Sequence, residues 1–258
     1  MTTKYKSVFI SDIHLGSNGC RANDLCNFLK SIECENLYLV GDIIDGWKLK
    51  RNWYWPQEHS NIIRKLLTKA KRGTKITYIT GNHDEFLREW IGNELNIGDI
   101  TIVNQCTYTS ISGEKYLIIH GDIFDAVTTN YKWVSLLGDI AYESLLRANI
   151  YLNAIRQKCG FGFWSLSKYI KNQAKQAVNF IFSFENHLSH HAKINGYDGA
   201  IVGHIHHSEI KIIDGIKYMN CGDWVESCTA LVETYDGEFQ ILELGMNGEM
   251  HVAKTSLS

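Results

Sequence analysis

Five short islands of Gly, Asp, Asn and His punctuate this chain, and each one ends a run of apolar residues. Ser11-Asp12-Ile13-His14 follows Val8–Ile10, Gly41-Asp42 follows Leu37–Val40, and Gly81-Asn82-His83-Asp84 comes just after Ile76–Ile79. His120-Gly121-Asp122 follows Tyr116–Ile119, and Gly203-His204-Ile205-His206 follows Ala200–Val202. Apolar runs of this kind, ended abruptly, read as buried strands whose C-terminal tips carry polar ligands. In an α/β sheet that edge is where ligands bind. The tips supply Asp12, His14, Asp42, Asn82, His120, His204 and His206, a nitrogen and oxygen donor set large enough for two metal ions sharing one carboxylate.

The bulk properties remove several classes of partner. At 258 residues the chain can bury one large core or at most two small ones, and its net charge of -2 gives no global attraction to nucleic acid or acidic surfaces. Electrostatic preference must come from local patches. The start, Met1 to Ser7, runs straight into a strand and not into a signal-peptide core. No apolar stretch reaches the roughly 20 residues needed to span a bilayer. Seven cysteines, odd in number and without a Cys-x-x-Cys pair, read as reduced thiols of a cytoplasmic protein.

Leu25, Phe28, Leu29 and Ile32 recur at helical spacing, with Asn23 or Asp24 as N-cap, before the strand Leu37–Val40. A second such unit puts Ile62, Ile63, Leu66, Leu67 and Ala70 on one helical face ahead of Ile76–Ile79. Farther on, Ile210–Ile213 and Ile216–Asn220 flank Asp214-Gly215, and Ala230–Tyr235 and Glu238–Leu244 flank Asp236-Gly237, two hairpins with two-residue links. The expectation is a mixed sheet, or two sheets face to face with helices outside. Between the fourth and fifth islands, residues 124–195 contain no clear strand and read as a helical insertion within a single domain, 1–258. From Leu145 to Phe184 this insertion carries six basic residues and no acidic one, interleaved with apolar side chains. Two readings stand: an amphipathic helix pair with solvated lysines, or a lid whose apolar face holds acyl chains and whose bases meet a diphosphate or anionic headgroups.

Two divalent ions about 3.5–4 Å apart clamp the attacking and leaving oxygens of a phosphoryl displacement. Asp42 stands at the tip that both groups of ligands can share. Asp12 and His14, two apart on an extended strand, are expected to point the same way and chelate one ion; the same geometry applies to His204 and His206, which can also divide between the two ions. Asn82 gives an uncharged oxygen, which keeps the site open to phosphate. His83 reads as general acid or transition-state donor, with Asp84 fixing its tautomer. Asp45 and Asp122 are expected to accept protons from ligand imidazoles. A donor set without thiolate suits Mn²⁺, Fe²⁺ or Zn²⁺, with Mn²⁺ first.

In order and sense the islands read Asp-x-His, Gly-Asp-x-x-Asp, Gly-Asn-His-Asp, His-Gly-Asp and Gly-His-x-His. This set resembles the calcineurin-like metallophosphoesterase superfamily over residues 12–206. Within it the chain is most similar to the UDP-2,3-diacylglucosamine diphosphatase family of lipid A biosynthesis. The features are the loop Gly41-Asp42-Ile43-Ile44-Asp45-Gly46-Trp47, the insertion after His-Gly-Asp, and the run Asn220-Cys221-Gly222-Asp223-Trp224. One position departs: well-studied members carry Arg after the metal-binding Asn, where this chain has His83.

The resemblance implies a four-layer αββα sandwich. Asp12, His14, Asp42 and His206 would hold one ion, and Asp42, Asn82, His120 and His204 the other. It implies a pyrophosphatase using metal-activated hydroxide on UDP-2,3-diacylglucosamine or a related lipid-linked diphosphate. Such an enzyme would be cytoplasmic, with a possible peripheral contact to the anionic face of the inner membrane. Substrate contacts are assigned to Asp125, Tyr131, Arg156, Lys168, Lys171 and Lys175 in the insertion. The alternatives are a phosphodiesterase or phosphatase of soluble nucleotides and a non-catalytic scaffold of the same fold; nucleic acid would need a local basic groove.

Overall fold

The computed structural model describes residues 2–93, 96–97, 99–127 and 166–255. The chain divides into two compact units, Met1–Ile123 with His187–Ser258, and Phe124–Asn186.

In the first unit every apolar run named above lies within a strand. The strands β1 (Thr3–Ile10), β2 (Ile32–Val40), β3 (Lys75–Ile79) and β5 (Ile100–Val103) pair in parallel, and the short β4 (Asn96–Ile97) closes that edge. On the other side β11 (Thr229–Glu233) runs antiparallel to β1 and leads to β12 (Phe239–Leu244) and β13 (Met250–Thr255). The order of this sheet is β13-β12-β11-β1-β2-β3-β5-β4. The second sheet joins β6 (Gln105–Thr109), β7 (Lys115–Ile119), β8 (Gly199–Val202), β10 (Ile216–Asn220) and β9 (Glu209–Ile213), in that spatial order.

Alternation along β1 assigns its side chains to two cores. Val8 and Ile10 join Leu37, Leu39 and Ile76 beneath the helices α1 (Ala22–Ser31) and α3 (Gln57–Lys71), whereas Phe9 joins Val40, Ile79, Ile118, Ile201 and Met219 between the sheets. A strand dry on both faces reads as a continuous apolar run, as this one does. The outer face of the second sheet is buried as well, through Leu117, Ala200, Val202 and Tyr218, and so are Leu188 and Ala192 in the last turns of α4 (Leu166–Ile194). Lys193 Nζ ties those turns to Asp214 O at 3.0 Å. The layers are helix, sheet, sheet, helix.

Helix α1 buries Ala22, Leu25, Phe28 and Leu29, and α3 buries Ile62, Leu66 and Ala70. Lys69 on α3 is also buried, its Nζ donating at 2.6 Å to the carbonyl of Ile32, which closes α1. A cation at that terminus meets the negative end of the helix dipole.

Four local expectations change. Ile32 is not helical but the first residue of β2, with φ -118 and ψ 151. The N-cap position of α1 belongs to Arg21, while Asp24 lies in the first turn and accepts from Arg21 Nε at 2.7 Å. Leu67 is exposed, because at its helical angle it falls outside the stripe of Ile62, Leu66 and Ala70. The first hairpin has its two-residue link, with Asp214 and Gly215 both at positive φ, but the second does not. There Thr234 N reaches Glu238 O and Gly237 N reaches Thr234 O, a three-residue loop in which only Gly237 is left-handed.

In the second unit Phe124 and Phe184 are buried with rings edge-on at 6.3 Å, while Val178, Phe182 and Lys175 are exposed. Tyr131 and Arg156 lie outside the described residues, as do the side chains of Asp125, Lys168 and Lys171. The lid reading of 124–195 therefore falls largely outside what is described.

Candidate metal centre

All five islands meet at the C-terminal ends of β1, β2, β3, β7 and β8. The loops after β1 and β2 run side by side: Asp12 N donates to Gly41 O, His14 N to Asp42 O and Leu15 N to Ile43 O. Gly203 N donates to His120 O, which locks the fifth loop to the fourth. The backbone differs from the extended geometry expected for the Asp-x-His pairs. Asp12, His14, Asp42, His204 and His206 all sit at left-handed φ, between 49 and 72°. Their side chains converge through this tight coil and not through strand pleating. Non-glycine residues visit that region rarely, and such backbones cluster at functional sites. Glycine is required next to them, since a Cβ on Gly81 would collide with the Asp42 carboxylate and one on Gly203 with that of Asp12.

Three groups of donor atoms result, each within 4.8 Å: Asp12, His14 and His206; His14, Asp42 and His83; Asp42, His120 and His204. Asp12 Oδ1 is 3.3 Å from His206 Nε2 and 3.9 Å from His14 Nε2. Asp42 turns Oδ2 toward His14 Nε2 at 3.9 Å and Oδ1 toward His120 Nε2 at 3.3 Å, so its two oxygens face different groups. The other Asp12 oxygen accepts from His204 N, and Asp42 Oδ1 accepts from His83 N, both at 2.9 Å. His120 Nδ1 meets the Val40 carbonyl at 2.9 Å, which leaves Nε2 as its coordinating atom.

Asp12 Oδ1, His14 Nε2, Asn82 Oδ1 and His120 Nε2 are buried without a hydrogen-bond partner. Each such atom costs about 1–3 kcal/mol if left alone. Asp12 Oδ1, His14 Nε2 and His120 Nε2 belong to the donor groups just described, and oxygen and imidazole nitrogen left open in this way fit divalent cations.

The charges support the same reading. Burial pushes the Asp12 and Asp42 carboxyls up, but the neighbouring histidines more than offset it and hold both below the usual carboxylate range. Burial lowers His120 and His206, yet Asp42 and Asp12 respectively raise them to about 10 and about 9.

Two expected contacts are corrected. Asp84 does not touch His83: its buried carboxylate accepts from Ile43 N at 2.9 Å, Tyr78 OH at 2.6 Å and Gly81 N, and so fastens three segments of the site. Burial and repulsion by Asp42 raise its pKa above the ordinary value. The partner of His83 Nδ1 is Asp45, at 3.0 Å, whose other oxygen faces His14 Nδ1 at 3.5 Å. Asp122 likewise meets no ligand ring, because Arg88 Nη2 takes both its oxygens at 3.0 and 2.9 Å. Strand-tip residues offer no sequence signal for choosing between acidic neighbours; only the fold does so. A sixth strand tip supports the five: Asn220 ends β10, donates to Gly203 O at 2.8 Å and accepts from Gly222 N at 2.9 Å, bracing the loop of His204 and His206.

Fold and donor set together define a metal-dependent hydrolase acting on phosphate esters. The chain belongs to the calcineurin-like phosphoesterase family, whose sequence profile matches residues 5–208. It is 24% identical over 269 residues to the UDP-2,3-diacylglucosamine hydrolase of Porphyromonas gingivalis, spanning 92% of this chain and 97% of that protein. The enzyme of that name from Blochmanniella pennsylvanica is 27% identical over 214 residues, with 79% of this chain and 80% of the relative covered. Among solved structures it is similar to the E. coli phosphoesterase Yfce, with a TM-score of 0.48 at 13% identity over 96% of this chain and 97% of that one.

Proposed function

We propose that this chain hydrolyses the phosphoanhydride of UDP-2,3-diacylglucosamine or a related lipid-linked diphosphate, with two divalent ions, Mn²⁺ first. Asp12, His14, Asp42 and His206 would hold one ion, and Asp42, Asn82, His120 and His204 the other. Such ions, when bound, withdraw charge from phosphate oxygens and make water acidic enough to attack at neutral pH. Asp42 is suited to bridging, since its oxygens face separate groups. Asn82 adds an oxygen without adding charge. His83 has its Nε2 3.9 Å from Asp42 Oδ2 while Asp45 fixes its Nδ1, so the ring can hand a proton to the departing phosphate oxygen. Residues 124–195 act in this reading as the lid, and Asp125, Tyr131, Arg156, Lys168, Lys171 and Lys175 contact the substrate.

The observation that carries the substrate is the near end-to-end match to a hydrolase of that name. The test compares UDP-2,3-diacylglucosamine, UDP-N-acetylglucosamine and a simple aryl phosphate with Mn²⁺ supplied. Each buried CH₂ is worth about 0.8 kcal/mol, so acyl chains are expected to raise kcat/KM by orders of magnitude. Equal turnover of all three would favour a phosphodiesterase or phosphatase of soluble nucleotides.

A further inference from the structure

The segment between Asp45 and Glu58 contains three bases, Lys48, Lys50 and Arg51, and no acidic residue. It also contains four aromatic rings, of which Trp53 is 74% exposed and Tyr54 38%. All three bases are exposed. The segment is nevertheless fastened at both ends. Asp45, the residue that holds His83 and faces His14, also accepts from Lys48 N at 2.9 Å and so starts α2 (Gly46–Arg51). Gly46 N donates to His83 O at 2.9 Å. At the far end the Tyr54 and Trp55 rings stand edge-on to buried His59, at 5.8 and 5.5 Å, and Trp55 Nε1 donates to Ser60 Oγ at 3.0 Å. Trp53 then stacks outward on Trp55 with centroids 6.4 Å apart.

Trp53 and Tyr54 are displayed beside the three bases on a scaffold pinned at both ends, where exposed rings forgo the free energy of burial. Trp and Tyr beside Lys and Arg is the composition of the bilayer interface, where amphipathic rings sit at headgroup depth and cations meet anionic lipid. No helix among the described residues is long and apolar enough to cross a membrane, so a bilayer contact made by them through helices has to be of this superficial kind. We infer that the α2 segment, residues 47–55, is a docking face for an anionic lipid surface. Asp45, which caps α2 and holds His83, ties the segment to the metal centre, so docking would bring the centre to the membrane in a set orientation. The inference extends the proposed lipid substrate, but vesicle binding reads it without any turnover of that substrate.

The test is co-sedimentation of the whole protein with vesicles of phosphatidylglycerol and phosphatidylcholine in equal parts, against phosphatidylcholine alone, at low ionic strength. The variants are W53A and the pair K50E/R51E; Lys48 is left in place because it touches Ser17 and Asp45. Binding to the anionic vesicles only, weakened about tenfold or more by either variant with aryl phosphate turnover retained, is the expected result. Four results overturn the inference. One is no binding to anionic vesicles, and a second is binding that neither variant changes, which puts the contact elsewhere. The third is loss of aryl phosphate turnover along with binding, which makes the segment part of the catalytic fold. A single-stranded oligonucleotide held more tightly than the vesicles by the same residues would replace lipid with nucleic acid.

Discussion

Two sets of polar side chains lie buried or half-buried in the first unit, and they differ in how their hydrogen bonds close. Ser7, Asn36, Tyr108 and Glu233 form a chain: Asn36 Nδ2 reaches Ser7 Oγ, Ser7 Oγ meets Tyr108 OH, and Tyr108 donates to Glu233 Oε2. The second Glu233 oxygen accepts from Ile111 N at 2.9 Å. At the strand tips, Asp12, His14, Asn82 and His120 are buried to a similar degree, yet each keeps an atom unpartnered. A closed network rigidifies a core, whereas an open one at equal burial is a place prepared for something else. Burial alone does not separate structure from function; here the clustering of unclosed hydrogen bonds at the strand tips does.

The most severe way to break this contrast is Asp42→Ala. Hydrolysis should vanish and bound metal fall, while thermal unfolding of the metal-free protein changes little, since a clustered charge is removed from a site that lacks its ions. Activity that survives with normal metal content would end the bridging assignment. His83→Ala separates ligand from acid: kcat is expected to fall about 10²–10⁴-fold with both ions retained. If metal content dropped instead, the group of His14, Asp42 and His83 would be the operative one.

Tyr108→Phe addresses the closed network and should do the reverse. Stability should fall by about 1–3 kcal/mol, because Ser7 and the buried Glu233 carboxylate each lose a partner, with kcat per folded molecule unchanged. Chemical denaturation with activity measured below the transition is the check.

The smallest effect is linkage to protons. In the metal-free protein His120 and His206 are raised to about 10 and about 9. Their contribution to stability is full below about pH 6.5, the ordinary imidazole value, and is lost as pH rises through the raised values. Metal binding has the opposite slope, because coordination displaces those protons. Titration calorimetry at neutral pH in buffers of different ionisation enthalpy should find about two protons released per protein. Release of none would mean that these rings are not ligands.

Much of this was readable in advance, and the limits have physical causes. Apolar runs end where the strands end, so Val8–Ile10, Leu37–Val40 and Ala200–Val202 located the tips without ambiguity. The way the ligands converge was not readable. Two-residue spacing suggested extended strands, and the same spacing occurs with left-handed residues at Asp12 and His14. Partner choice escaped for another reason: Asp45, Asp84 and Asp122 are alike in sequence, and their roles are set by contacts 34 to 41 residues away along the chain, such as Arg88 with Asp122 and Ile43 with Asp84. The loop Thr234–Glu238 shows the same limit on a smaller scale, since Asp-Gly fits either hairpin length.

The left-handed ligands bear on how this chain can change over generations. Each of the five positions is held in a conformation that disfavours most L-residues by roughly 1–2 kcal/mol, so together they weigh on a domain whose net stability is of order 5–15 kcal/mol. While catalysis is under selection that load is tolerated. Once it is not, substitution to glycine or asparagine at positions 12, 14, 42, 204 and 206 becomes favourable and hard to reverse. Descendants that abandon the chemistry should therefore be recognisable by small, turn-prone residues at these five places, with the apolar strands that lead to them unaltered.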